Sequence, residues 1–370
     1  MIPEILVTLF ALCYTGIAIW LAAGMLGPYR KREGCPKVSV VVPARDEEDN
    51  LPALLESLLQ VDYPHEKLQI LIANDQSEDR TREVAESYRD RFKCDYRVID
   101  VVEEDCPNLR GRVRPIAQAI DYATGDIFCI TDADCVVPRT WVRAVTRYFA
   151  DGVGLVGGIT LPRPETLRGN PIAVVETLDW AFLLGASATL SGRGHSQAII
   201  GNNLSVSREA YEAAGTYRDI PFSVTEDLAL MHAVQETGRF RAILPADSET
   251  LMRTRPIPSL PALISQRRRW LKGGAKIKGF GFFVLAYGFL AHLLWPLWFL
   301  LFGLCGFLWL AILLLGDGAV IYRALKLAGQ RHLIVLLPLY PIYAFTYPVI
   351  LVTTYFFTRR VKWKGRLYGK

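Results

Sequence analysis

The sequence predicts an α/β domain with a mainly parallel, doubly wound sheet, carried between transmembrane helices at both ends. Three observations predict it. Short β-branched runs alternate with amphipathic stretches from residue 37 to about residue 255. The apolar excess gathers at the two ends of the chain instead of its middle. Overall, 51% of the 370 residues are hydrophobic and 21% are charged, against about 25% charged in an ordinary soluble domain. That composition excludes a disordered chain and a small disulfide scaffold, and it fits a purely soluble enzyme poorly.

The first element is the apolar run Ile5 to Leu26, which carries no charge. It is long enough for a hydrocarbon core of roughly 30 Å, so residues 1–28 are expected to form a transmembrane anchor. Arg30, Lys31 and Arg32 follow at once. The positive-inside rule then places residue 30 in the cytoplasm and the N-terminus outside. A cleaved signal peptide would want its charge before the apolar run, and here the charge comes after it.

The middle reads as strand and helix in turn. Val38 to Val42 is a β-branched run ending at Pro43. A helix follows, with Asn50 as its cap and Leu51, Leu54, Leu55, Leu58 and Leu59 on one face. Leu68 to Ile72 is the next strand, Arg80 to Arg91 an amphipathic helix, and Arg97 to Val102 strand-like. Ile116 to Tyr122 is helical, and Ile127 to Ile130 is a strand ending at Asp132. Continuous apolar strands alternating with helices make a sheet covered on both faces. Ligands bind such sheets beyond the carboxyl ends of the strands. The polar clusters Pro43-Ala44-Arg45-Asp46-Glu47-Glu48, Asn74-Asp75 and Asp132-Ala133-Asp134 all fall there. No G-x-G-x-x-G follows the first strand and no P-loop occurs, which weakens dinucleotide and ATP readings. The domain is expected to span residues 36–255, followed by an interfacial helix over 256–278.

The C-terminal part, 279–357, is expected to hold two or three spans. Phe280 to Leu315 is too long for one span and reads as a helical hairpin turning near Pro296 or Gly303. Leu333 to Phe357 is apolar but broken by Pro338, Pro341 and Pro348. The loop Arg323 to Arg331 and the tail 358–370 are both basic, so one span between them puts one of them on the wrong side. A re-entrant segment would keep both inside.

The seven cysteines form no C-x-x-C pair and no zinc spacing. They read as reduced, mostly buried thiols of a domain facing the cytoplasm. The net charge of +5 is mild. Its basic residues lie beside apolar segments, as suits anionic lipid, and no stacking-aromatic motif points to nucleic acid.

Four motifs carry chemistry. Asp132 and Asp134, two apart at a strand end, point the same way and offer a hard-oxygen site for Mg2+ or Mn2+. They also suit a polar loop that merely closes a strand. Thr225-Glu226-Asp227 opens an amphipathic helix, Leu228 to Glu236, either as first-turn acids at the positive helix end or with one carboxylate as a general base. In Gln266-Arg267-Arg268-Arg269-Trp270, residues Gln266, Arg269 and Trp270 share one helix face. An Arg fork suits a diphosphate and a Trp face suits a sugar ring. The same residues suit a basic belt at a membrane surface.

In this order, between an N-terminal span and C-terminal spans, Asp75, the D-x-D of Asp132 and Asp134, Glu226-Asp227 and the Q-x-x-R-W of Gln266 to Trp270 resemble the membrane-embedded family 2 glycosyltransferases. That group includes cellulose, chitin and hyaluronan synthases and ceramide glucosyltransferases, and the resemblance covers roughly residues 36 to 275. It implies a GT-A fold, a nucleotide-diphospho-sugar donor and inversion at the anomeric centre. It also implies that Pro43, Ala44, Arg45 and Glu47 line the nucleotide site and that Asp75 holds the base. Asp132 and Asp134 match the metal and diphosphate motif, with Asp134 as the direct metal ligand. Asp227, beside Glu226, matches the catalytic base. Gln266, Arg269 and Trp270 match the motif that meets diphosphate and acceptor, and Gly201-Asn202-Asn203 resembles the segment beside the acceptor. The chain departs from the pattern in having Gly111-Arg112, with Arg114 nearby, where many members have Gly-Lys. It has Asn74 where a second acid often precedes Asp75, and no gating-loop pattern follows the Q-x-x-R-W.

The resemblance implies transfer of a sugar, from a UDP-sugar by expectation, to a lipid hydroxyl at an inner or plasma membrane, with the catalytic domain cytoplasmic. Two alternatives stay open: a processive polysaccharide synthase, and a non-catalytic membrane subunit built on the same fold.

Overall fold

The computed structural model describes residues 2–274, 279–342, 344, 352, 361–363 and 366–368. In chain order its elements are α1 (Ile2–Ala23), β1 (Val38–Ala44), α2 (Leu51–Leu59), β2 (Leu68–Asn74), α3 (Thr81–Ser87) and β3 (Asp95–Asp100). Next come α4 (Val113–Asp121), β4 (Ile127–Ile130), β5 (Cys135–Val136), α5 (Trp141–Thr146), β6 (Val153–Gly157), β7 (Thr160–Pro162) and α6 (Pro171–Gly192). They are followed by β8 (Leu204–Ser207), α7 (Arg208–Ala213), α8 (Thr216–Asp219), α9 (Glu226–Glu236), β9 (Arg241–Ile243) and β10 (Met252–Thr254). The chain closes with α10 (Leu260–Gly274), α11 (Gly279–Phe302), α12 (Cys305–Leu327), β11 (Val361–Trp363) and β12 (Arg366–Tyr368).

Two compact units share these elements. Pro28–Arg163 and Ala198–Arg255 make one; Met1–Gly27, Pro164–Gln197 and Pro256–Lys370 make the other. The division differs from the continuous domain expected over 36–255, because Pro164–Gln197 clusters with the terminal helices.

The first unit is built on a seven-stranded sheet in the order β3-β2-β1-β4-β8-β6-β9. β1 pairs parallel with both β2 and β4, with Val40 opposite Ile70 on one side and Cys129 on the other. Two-sided pairing suits its continuous apolar run, since a central strand of a parallel sheet is covered on both faces. Val38, Val40 and Val42 pack with Leu51, Leu54, Leu55 and Leu58 of α2. α4 lies against β1 and β2. Burying these seven side chains, at about 2 kcal/mol each, is the main term holding this part of the unit together. At the amino end of β1, the buried Ser39 Oγ donates to Gln69 Oε1 at 2.6 Å and accepts from Gly125 N at 2.9 Å. A Cβ on Gly125 would stand 2.4 Å from Ser39 N, so that turn needs a glycine.

The sheet is parallel except at β8, which runs antiparallel to both β4 and β6. A smaller three-stranded sheet has the order β5-β10-β7. Asn50 precedes α2 without a side-chain cap bond; its Nδ2 donates to Glu47 Oε2 at 2.6 Å instead.

In the second unit, α12 packs along α1, α6 and α11. Among the described residues three helices are long and apolar enough to cross a membrane: Pro3–Leu26, Pro171–Gly192 and Cys305–Leu327. The first lies where an N-terminal span was expected, the third begins in the second arm of the expected hairpin and runs past Leu315 into the expected loop, and the second was not expected. The expected hairpin turns at Gly303, whose φ of +56° suits the residue after a helix end. The helix before it runs through residue 296. The Tyr14 hydroxyl donates to Asp317, and His292 Nε2 lies 2.7 Å from the other Asp317 oxygen. His292 Nδ1 donates to Gly288 O at 2.7 Å, so one buried polar cluster links α1, α11 and α12. Of the segment 333–357, Arg331–Leu339 starts as a 3-10 helix, and most of the remainder lies outside the described residues, as does any count of spans there.

All seven cysteines are free. Cys129 and Cys135 are buried and the other five are half-buried or exposed, so the expectation of mostly buried thiols holds for only two. Cys13 and Cys305 lie on the apolar helices α1 and α12, where exposure is to the surroundings of those helices.

Candidate active site

The site forms where β1, β2 and β4 end. Because they are parallel and in register, Ala44 opposite Asn74 and Val41 opposite Ile130, their following loops emerge at one edge. Asp75 is tied to the end of β1 through its N–H, which donates to Ala44 O at 2.8 Å. Arg114 Nη2 donates to Asp75 Oδ1 at 2.8 Å, and Arg45 Nη1 lies 3.8 Å from Asp75 Oδ2. Both Asp75 and Arg114 are buried, and Arg114 also pairs with Glu103 at 2.5 Å. Burial opposes the Arg114 charge, yet the two carboxylates raise its pKa above the ordinary value. Asn74, where a second acid was the family pattern, donates from Nδ2 to Asp100 Oδ1 at 3.0 Å.

The loops after β1 and β2 brace each other. Asp46 Oδ1 accepts from Glu78 N at 2.9 Å, Glu47 N donates to Thr81 Oγ1 at 2.7 Å, and Glu48 N donates to Asp79 Oδ2 at 3.0 Å. Asp46 and Gln76 both have left-handed φ, +52° and +55°. Such strained positions concentrate where surrounding structure holds a site in shape. Pro43 and Ala44 are the last residues of β1 and Arg45 and Glu47 stand just beyond them, with Ala44 buried.

The D-x-D turn follows β4. Cys135 N donates to Asp132 O at 3.1 Å, closing it. The Asp134 carbonyl accepts from Arg255 N at 3.3 Å and Arg163 Nη2 at 3.1 Å, so two arginines that the sequence did not single out pin this turn. Arg112 Nε donates to Asp132 Oδ1 at 2.7 Å, Nη1 to Glu226 Oε1 at 2.6 Å and Nη2 to Gly201 O at 3.0 Å. One guanidinium thus joins the D-x-D, the Glu226-Asp227 pair and the Gly-Asn-Asn segment. Burial works against its charge, but Asp132 and Glu226 raise its pKa above the ordinary value.

The antiparallel β8 explains how Gly201 arrives. Leu204 pairs with Ile130, so the residues before β8 sit beside the end of β4. Asn203 is buried and spends its amide within the protein. Its Oδ1 accepts from Trp141 Nε1 at 3.2 Å, and its Nδ2 donates to Ile159 O at 3.2 Å and Thr250 O at 3.0 Å. Asn202 Oδ1 accepts from Thr160 Oγ1 at 3.0 Å. These bonds give both asparagines partners within the protein.

Asp227 lies in the first turn of α9. Its Oδ2 accepts from Gly201 N and its Oδ1 from Leu228 N, each at 2.8 Å. Burial, then the neighbouring Glu226 charge, pushes its pKa up to about 7, against the opposing pull of Leu228 N–H, Arg112 and Gly201 N–H. Thr225, just before α9, makes no side-chain cap bond, while Glu226 and Asp227 both stand in the first turn.

Gln266, Arg269 and Trp270 lie on α10, in the other unit. That helix runs over Leu260–Gly274, within the 256–278 of the expected interfacial helix. Asp132 and Asp134 supply two hard carboxylates. Among the described residues no group of three or more His, Cys, Asp or Glu forms a metal site. Two carboxylates of this kind would fit a Mg2+ or Mn2+ completed by oxygens from other sources.

Residues 39–214 match the family model for glycosyl transferase family 2, and residues 127–357 match that for glycosyl transferase family group 2, which covers well over half the chain. The chain is 26% identical over 251 residues, 65% of its length and 48% of the other's, to a beta-monoglucosyldiacylglycerol synthase of Synechocystis sp.. It is 25% identical over 273 residues, 70% and 62% of the two lengths, to a poly-beta-1,6-N-acetyl-D-glucosamine synthase of Staphylococcus aureus. The chain therefore spans less than two thirds of either relative. Its fold is similar to that of a mannosyltransferase from Pyrobaculum calidifontis solved in complex with GDP-Man and Mn2+, with a TM-score of 0.60, 21% identity and coverage of 95% and 96% of the two chains. With its GT-A-like α/β unit and membrane-length apolar helices, the chain belongs to the family 2 glycosyltransferases.

Proposed function

We propose that the protein moves a sugar from a nucleotide-diphospho-sugar, a UDP-sugar by preference, to a lipid hydroxyl at a membrane, with inversion. The observation that carries this reading is the Asp227 carboxylate, fixed by two backbone N–H groups and lifted toward neutral pKa. A base poised near the operating pH suits removal of a hydroxyl proton. In the proposed step the acceptor oxygen bonds to the anomeric carbon, the bond from that carbon to the diphosphate breaks, and the proton passes to Asp227. The nucleoside diphosphate leaves with the bonding pair.

Asp75, with Pro43, Ala44, Arg45, Glu47 and Arg114 around it, would hold the nucleoside. Arg112 would fix Glu226 and Asp132 on either side of the reacting centre. Asp134 and Asp132 would hold Mg2+ or Mn2+, which supplies positive charge against the developing diphosphate. Gln266, Arg269 and Trp270 take the role their motif implies, toward diphosphate and acceptor. The membrane-length helices and the name of the glucosyldiacylglycerol relative support a lipid acceptor. The basic run at residues 30–32 supports a cytoplasmic catalytic unit at the plasma or inner membrane.

The polysaccharide-synthase relative supports a second reading, repeated transfer to a growing chain. One experiment separates the two. The purified protein is incubated with a panel of nucleotide sugars and membrane lipids, and products are read by mass spectrometry. A lipid gaining one sugar is the expected product; a polymer ladder would favour the second reading, and no release of nucleoside diphosphate with any donor would sink both.

A further inference from the structure

The helix that carries the Gln266 to Trp270 motif is itself held by charge. Arg267, the second residue of the motif and one the motif reading passes over, is 2% exposed. Its Nη2 donates to Asp179 of α6, which is fully buried, and its Nη1 donates to Gln266 Oε1. Three residues earlier on α6, the buried Glu176 accepts from Ile257 N at 2.9 Å, in the segment leading into α10. Positions i and i+3 share a helix face. Glu176 and Asp179 therefore form one acidic strip, and both of its carboxylates engage the chain that presents the motif. The contact continues in the rings: Trp180 and Trp270 lie 5.7 Å apart at 55°, and the Arg267 guanidinium stands 4.2 Å over the Trp270 ring.

Acids are costly in a helix apolar enough to cross a membrane, and there they mark function with a named partner. Simple burial does not require them, because an apolar pair of the same volume would stabilise as well or better. What this pair adds is a fixed register, since one planar guanidinium donates to Asp179 through Nη2 and to Gln266 through Nη1 at once. Successive residues on an α-helix are about 100° apart, so Arg269 lies about 160° around α10 from Arg267. Fixing Arg267 against α6 thereby fixes the direction of Arg269, while the stacked guanidinium and Trp180 hold the plane of Trp270.

We propose that Asp179 and Arg267 are positioning residues that set the orientation of the motif helix for its acceptor, with Glu176 holding the segment before it. The functional part of this inference rests on the glycosyltransfer reading above. The test uses the full-length protein in detergent or nanodiscs and two readouts. The first is the near-UV circular dichroism difference between the parent and its Trp270→Phe variant, which reports the Trp180–Trp270 pair without any activity. The second is the KM for donor and for acceptor. Asp179→Asn should abolish the difference spectrum and raise acceptor KM by about tenfold with donor KM within about threefold, a split that a smaller folded fraction would not produce. Asp179→Glu should recover part of both. Arg267→Lys, which keeps the charge and loses the fork, should fall between and serves if Asp179→Asn does not fold.

A difference spectrum that persists in Asp179→Asn and Arg267→Lys overturns the proposal whatever the activity. Its loss with both KM values unchanged overturns the acceptor role of the helix orientation. If the parent transfers no sugar to any acceptor but the spectrum is lost, the glycosyltransfer reading fails and the anchoring of α10 on α6 stands.

Discussion

Arg112 Nη1 lies 2.6 Å from Glu226 Oε1, and the same guanidinium holds Asp132. Residues 114 positions apart in the chain are thereby joined at one charge. Removing it leaves two carboxylates and the Gly201 carbonyl without their shared donor. Arg112→Ala should lower stability by about 2 kcal/mol, discounted for the partial exposure of Asp132. Arg112→Lys should recover only part, having one compact charge in place of a fork. Thermal melts of the detergent-solubilised variants measure both; an Arg112→Ala melt equal to the parent's would contradict the bridging role.

Asp227→Asn should reduce turnover about a thousandfold while leaving donor affinity within about threefold, because an amide cannot take the acceptor's proton. Calorimetric titration of donor, set beside single-turnover rates, separates the two quantities. Near-normal turnover would show that another group is the base.

The raised pKa of Asp227 predicts pH dependence in activity and in stability, with opposite signs. As a base, Asp227 works only when ionised, so kcat/KM should climb as pH rises through about 7 and level off above it. Glu226→Gln removes a charge that raises that pKa and should move the limb to lower pH. For stability, the folded-state pKa of about 7 lies above the ordinary 3.8. Between those values the folded protein binds the extra proton, so stability falls as pH rises through that window. Melting temperatures taken across it should show a decline that flattens in Asp227→Asn.

Chelation with EDTA should stop transfer, and added Mn2+ or Mg2+ should restore it. Asp134→Ala should raise the metal concentration needed for half-maximal rate at least about tenfold, since half of the two-carboxylate donor set is lost. A parent enzyme indifferent to EDTA would refute the assignment of Asp132 and Asp134.

Gly125→Ala should destabilise the protein by about 2 kcal/mol, because its Cβ would meet the β1 backbone and one strand must shift. Loss of melting temperature without a change in donor affinity is the expected result.

Much of the sheet was legible because β1, β2 and β4 are continuous β-branched or apolar runs ended by polar clusters. A parallel sheet converts that simple pattern into one binding edge. Other parts were hidden for physical reasons. The helix Pro171–Gly192 escaped notice because Glu176, Asp179 and its threonines and serines dilute its hydropathy; their partners are set by packing. The reversed direction of β8 depends on pairing with β4 across some 75 residues of chain. Gly201 holds Asp227 through a backbone N–H, which every residue but proline possesses and no side-chain pattern announces. The inward hydrogen bonds of Asn203 follow from its burial, which the pattern Gly201-Asn202-Asn203 does not announce.

The insertion of α6 between the two segments of the catalytic unit also bears on how the chain is made. β4 gains its second neighbour only from β8, which lies beyond α6. As the chain leaves the ribosome, α1 and α6 both emerge before the sheet can close. Until then the central edge of β4 is open, a template for wrong pairing. Any delay in settling those two helices would lengthen that exposure, so the yield of folded protein should depend on the insertion machinery as much as on the sequence of the sheet.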